Sequence, residues 1–168
     1  MTSAHTVRLH DIEPPQGALE DFNFLMGDWV VANRRLRARW TTDPQWETFM
    51  ATQHCEPRLG HGANVDEIVF AGKGYAGMTV RLFDIRERRW SIYWISSRDG
   101  RLTPPMQGGF MGDRGEFYGE DLDDGFPVKV RFLWLKRAAH GGPRWEQAFS
   151  RDSHAWETNW IMEMTRPT

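Results

Sequence analysis

From residue 28 onward, apolar and polar positions alternate with a period of two, and turn residues interrupt the pattern at a regular beat. Trp90, Ile92 and Trp94 fall on one face of a strand, with Arg89, Ser91 and Tyr93 on the other. Val128, Val130, Phe132 and Trp134 oppose Lys129 and Arg131, and Trp156, Thr158, Trp160, Met162 and Met164 oppose Glu157, Asn159 and Glu163. Antiparallel strands with one buried face give this alternation. The turn signals, among them Gly72 to Gly74, Arg98 to Gly100 and Asp123 to Gly125, are about 11 to 17 residues apart, as successive hairpins require. The pattern predicts about ten strands, at 28–40, 46–56, 64–70, 75–85, 89–97, 107–111, 115–121, 126–136, 144–150 and 155–165. A sheet of that size curls and closes or splits into a sandwich. The expected fold is all-β: a closed antiparallel up-and-down barrel of about eight to ten strands. Before it, Leu19, Phe22 and Met26 recur at helical spacing behind Pro14 and Pro15, which predicts a short helix across one end. The chain thus divides into an N-terminal arm and helix over 1–26 and one barrel domain over 27–168.

Composition adds one unusual feature. Nine Trp and ten Phe against three Tyr make 13% of the chain aromatic, so the interior must enclose something large and flat or be filled by its own rings. A net charge of -2 gives no positive field of the kind that nucleic acid needs. The run Arg34, Arg35, Arg37, Arg39 reads as a strand whose arginines divide between two faces. One cysteine, Cys55, permits no intramolecular disulfide, and no apolar stretch approaches about 18 residues, so the expectation is a cytoplasmic protein with no membrane contact.

Phe24-Leu25-Met26-Gly27-Asp28-Trp29, an apolar turn leading into Gly-x-Trp at the head of the first strand, resembles the opening motif of the lipocalins and the wider calycin group. The resemblance implies that Trp29 lies across the closed end of the barrel, covered by Arg166 from the end of the last strand. Over nearly the whole chain, including 144–150 and 156–160, the sequence is similar to bacterial lipocalin-like proteins that have no assigned activity. It therefore implies a fold and not a reaction.

Strict alternation from an inward Trp29 would also send Asn33, Arg35, Arg37 and Arg39 inward. Either a β-bulge between Val31 and Arg34 restores an apolar interior, or the lumen is polar, and the sequence is compatible with both.

Catalytic motifs such as Gly-x-Ser-x-Gly, a phosphate loop or Gly-x-Gly-x-x-Gly are absent. His54 and Cys55 are neighbours on a strand and so point to opposite faces, which leaves no metal site there. The candidate ligand-binding residues are Trp90, Trp94, Trp134, Trp145, Trp156 and Trp160, with Arg81, Arg131, Gln147 and Thr158 as polar groups inside strands. Such a set fits a pocket for an apolar or aromatic small molecule. A calycin-fold enzyme, an isomerase, cyclase or dehydratase of a small aromatic or polyketide-like substrate, is the alternative. A third reading gives the rings to a filled core or a homodimer interface. No cofactor is indicated, except that His154 is a candidate haem ligand.

Overall fold

A computed structural model describes residues 11–168; residues 1–10 of the N-terminal arm lie outside the described residues. Ten antiparallel strands close into one barrel: β1 (Gly27–Leu36), β2 (Trp46–Arg58), β3 (Ala63–Phe70), β4 (Tyr75–Asp84), β5 (Arg89–Ser96), β6 (Met106–Met111), β7 (Arg114–Asp123), β8 (Phe126–Leu135), β9 (Arg144–Ser150) and β10 (Glu157–Thr165). Each strand pairs with its neighbours in sequence, and β1 pairs with β10, Val30 opposite Thr165 and Arg35 opposite Trp160. Among the described residues no helix is long and apolar enough to cross a membrane.

Local chemistry sets the turns. Asp123 faces Phe126, so Asp124 and Gly125 make a two-residue hairpin with φ of 49° and 81°, the doubly left-handed turn that matches strand twist. At the β3–β4 turn Gly74, φ 73°, brings its N–H onto Phe70 O at 3.0 Å.

The short N-terminal helix does not form. Residues 15–26 instead run as turns with one 3-10 turn at Asn23–Leu25, because the segment's polar groups are spent on the barrel. Asp21 Oδ2 accepts the N–H groups of Ala18 (3.0 Å) and Phe110 (3.1 Å), and Ala18 O accepts the indole N–H of Trp90 at 3.0 Å. Phe22 is thereby driven into the end of the barrel, among Trp90, Phe110, Phe117 and Trp134, with ring centroids 5.0 to 6.0 Å away. Leu25 and Trp29 complete this plug, the Trp29 indole donating to Leu25 O at 2.7 Å. Arg166 covers Trp29 from outside, its guanidinium 3.6 Å from the ring centroid and donating to Asp28 O at 3.1 Å. One end of the barrel is closed by packed rings, and the head of β1 and the end of β10 meet there.

β1 carries no bulge. Its ladder to β2 is continuous from Gly27 to Leu36, so Trp29, Val31, Asn33 and Arg35 all face inward and the lumen is partly polar. The irregularity falls on β10, between Thr158 and Trp160. That extra residue at Asn159 puts Asn159 and Trp160 both on the inner side and turns Thr158, opposite Ala148, and Trp156 outward.

Candidate functional site

The lumen has three layers along the barrel axis. At the closed end lies the solid plug around Phe22, which includes Trp90, fully buried. The middle layer is a cavity of about 130 Å³. Its apolar wall is Ile68, Ile92, Trp94, Met106, Val130, Phe132, Trp134, Trp145, Trp160, Met162 and Met164, and its polar residues include Gln53, Asp66, Thr79, Arg81 and Gln147. A void of about 150 Å³ is enough to hold a benzene ring. The third layer is a cleft of about 530 Å³ at the open end, lined by Arg35, Leu36, Arg37, Arg39, Glu47, Arg98, Gln147, Asn159 and Trp160. Gln147 and Trp160 belong to both walls, so cavity and cleft adjoin.

Of the residues chosen from sequence, Arg81, Trp94, Trp134, Trp145, Gln147 and Trp160 line the cavity. Trp90 points inward but belongs to the plug. Arg131, Trp156 and Thr158 are displaced from the lumen: Arg131 alternates with inward Val130 and Phe132, and its guanidinium sits 4.7 Å from the centroid of Trp156, which the β10 bulge has turned outward. His154 is exposed in the β9–β10 turn, where its N–H donates to Asp152 Oδ1 at 2.8 Å, and it is not part of the cavity wall.

Arg81, Asp66 and Asn64 form one polar group inside the barrel. Asn64 and Asp66 on β3 stand opposite Arg81 and Thr79 on β4, because facing positions of an antiparallel pair share a face. Arg81 donates from one nitrogen to Asp66 Oδ2 at 2.5 Å and to Asn64 Oδ1 at 2.9 Å, with both ionic side chains almost wholly buried. Beside them Cys55 is buried, and burial pushes its thiol up to about 11. Among the described residues, three buried donors of the cavity-lining residues have no protein partner: Arg81 Nε, Gln53 Nε2 and Trp134 Nε1. An unpaired buried donor costs about 1–3 kcal/mol.

At the open end, Arg35 lies between Phe49 and Trp160, 4.9 and 5.0 Å from their ring centroids, donating to Glu47 and to Tyr75 OH. Hydrogen bonds from Lys73 and Arg35 hold the Glu47 carboxyl below the ordinary carboxylate range. Arg39 is bound to Asp123, whose other oxygen takes the Trp40 indole N–H at 2.6 Å.

The barrel wall is thinnest beside the cavity. β6 pairs with β5 only from Trp90 to Ile92, while β5 and β7 run on to Ser96 and Asp123. The loop over 97–105 fills the notch, with the Trp94 N–H donating to Thr103 Oγ1 at 3.1 Å and the Thr103 N–H to Trp94 O at 3.0 Å. Thr103 and Pro104 on this loop, with Glu120 and Asp121 on β7, edge the cavity and form a side portal.

Sequence reasoning missed Phe22, Asn64, Asp66 and Gln53. Period-two parity could have found Asp66, since Asn64, Asp66, Ile68 and Phe70 share one face, but Val65, Glu67 and Val69 make the opposite face equally apolar. No protein-family model matches the chain, and no curated protein matches it either.

Proposed function

We propose that the protein is a binding barrel of the calycin type that takes a small aromatic molecule, about one ring in size, into the middle of its lumen. The observation that carries this reading is the cavity itself: a void of about 130 Å³ walled by Trp94, Trp134, Trp145 and Trp160, beside a plug that is packed solid. Had rings simply filled the core, the space between these four indoles would be occupied as it is around Phe22. Apolar walls with a few polar groups are the usual make-up of a small-molecule site.

Binding accounts for the geometry better than catalysis. Asp66 is engaged by Arg81, and the Cys55 thiol is raised away from its nucleophilic form, so neither serves as a free base or an activated nucleophile. The cytoplasm is the compartment this reading assigns, since a lone buried thiol has no disulfide to maintain.

The test is titration of the protein with single-ring aromatic compounds, read by tryptophan emission and by the indole N–H signals in NMR. Saturable binding is expected, weakened by roughly 1–3 kcal/mol in Trp94→Ala, the worth of a buried aromatic contact. If no compound of the panel shifts either signal, the barrel is not a receptor for such molecules.

A further inference from the structure

We infer that the guest is an aromatic acid: its ring occupies the inner cavity and its anionic group lies in the arginine cleft at the open end. The inference rests on the binding function proposed above and adds the chemical class of the ligand.

Three observations support it. The cleft wall carries Arg35, Arg37, Arg39 and Arg98 against a single carboxylate, Glu47, in a protein whose net charge is -2. Arg35 and Arg39 are already matched, to Glu47 and Asp123. Among the described residues no ion pair joins Arg37 or Arg98 to a carboxylate, and the Arg98 guanidinium is held over the Tyr75 ring at 4.0 Å. Two guanidinium groups therefore face the cleft with charge to spare.

The second observation is Asn159. It is 3% exposed, lines the cleft, and accepts from Gln147 Nε2 at 2.9 Å, while among the described residues its own Nδ2 has no protein partner. The β10 bulge holds this amide between cavity and cleft, where it can donate to an acceptor at the point where the two spaces adjoin.

The third observation fixes the direction of the guest. The other cation of the lumen, Arg81, is already neutralised by Asp66, so an anion placed at the inner end would meet that carboxylate. The side portal is edged by Asp121, which repels an anion, and by Glu120, whose charge is matched by Lys129, so it offers an anion no unmatched cation. Of these three places, among the described residues, the open-end cleft is the one with unmatched positive charge, and the Trp160 indole, shared by both walls, lets a ring continue from one space into the other.

The experiment uses phenylacetate, 3-phenylpropionate and 4-phenylbutyrate, each beside its uncharged amide, with toluene as the ring alone. Calorimetry on the full chain should show at least one acid bound about tenfold or more tighter than its amide, the scale of one charge-assisted hydrogen bond. The preference should shrink as ionic strength rises, and Arg37→Gln with Arg98→Gln should bring acid and amide to equal affinity while toluene binding stays unchanged. Amides binding as tightly as acids would overturn the anionic class and leave the lumen reading intact. Failure of toluene, acids and amides alike would instead remove the lumen reading on which this inference stands.

Discussion

Gly77 lies directly beneath the Trp94 indole: a Cβ placed on Gly77 would come within 1.8 Å of Trp94 Cη2. The glycine has no left-handed backbone to explain it, so its role is to leave room for a ring. On β4 and β5 the two residues lie on the same inner face, with Gly77 opposite Ser96 and Thr79 opposite Trp94. The indole can thus lie against the wall and leave the cavity open. Gly77→Ala should push Trp94 into that space. The expected result is a folded protein destabilised by about 1–3 kcal/mol, the range of overpacking, with ligand affinity lost and Trp94 emission altered. Unchanged binding in a well-folded Gly77→Ala protein would show that Trp94 does not bound the ligand space.

Arg166 on Trp29 gives a second prediction. The guanidinium both stacks on the ring and donates to Asp28 O, tying the end of β10 to the head of β1. Arg166→Ala should lower stability by about 0.5–2 kcal/mol, measured by urea unfolding, and Arg166→Lys should recover only part of it because an ammonium lacks the flat stacking face. Ligand affinity should not move, since the pair closes the end of the barrel opposite the cleft.

The ten strands were legible because hairpin spacing and alternation repeat each other in this sequence. Every predicted strand corresponds to an observed one, the main difference being that β1 stops at Leu36, after which Trp40 takes a φ of 61°. The site was less legible, and for physical reasons. Asn159 looks like any strand residue, yet as a bulge it reverses the facing of Trp156 and Thr158. Asn33 and Arg35 break the apolar parity because each has a polar partner on another strand: the Trp160 indole N–H, 3.0 Å from Asn33 Oδ1 and at the far end of the chain, and Glu47, opposite Arg35 on β2. Pairing across a closed sheet is invisible to a local period. Helical spacing puts Phe22 on a helix face, whereas its ring enters the lumen.

His54 carries a prediction of pH dependence. Its Nδ1 is 2.6 Å from Asp28 Oδ1 and its Nε2 is 3.0 Å from Glu56 Oε1 on the outer surface. Hydrogen bonds donated to Asp28 first and Glu56 second raise its pKa above the usual 6.5. A raised folded-state value means that the stabilising contribution is fully present below the unfolded-state pKa and is lost as pH rises through the folded one. Solvent screening keeps the effect on stability small, so the ring's NMR titration is the measurement to make. The midpoint should lie above that of a free histidine and return toward it in Asp28→Asn, and an unshifted midpoint in the native protein would remove the interaction.

Asp66 and Arg81 make the strongest prediction, because the pair is buried at 2% and 4% side-chain exposure and touches the cavity. Removing one partner strands the other charge. Asp66→Ala should cost about 3–5 kcal/mol, since Arg81 would keep only Asn64 and the faces of Phe22 and Trp134, whose centroids lie 5.1 and 5.9 Å from its guanidinium. Replacing both, as in Asp66→Leu with Arg81→Met, removes two desolvated charges together with their attraction. Such a double replacement is often neutral or stabilising by about 1–4 kcal/mol, so the double variant should be more stable than either single one. The same protein separates structure from binding. If the pair serves only to hold β3 against β4, the double variant should bind toluene as the native barrel does. If the unpartnered Arg81 Nε helps to orient the guest, toluene should still bind while ring compounds with an acceptor lose affinity relative to it. Unfolding in urea and calorimetry on one purified variant measure both effects, and a double variant less stable than Asp66→Ala would show that the pair stabilises the lumen beyond what apolar side chains can supply.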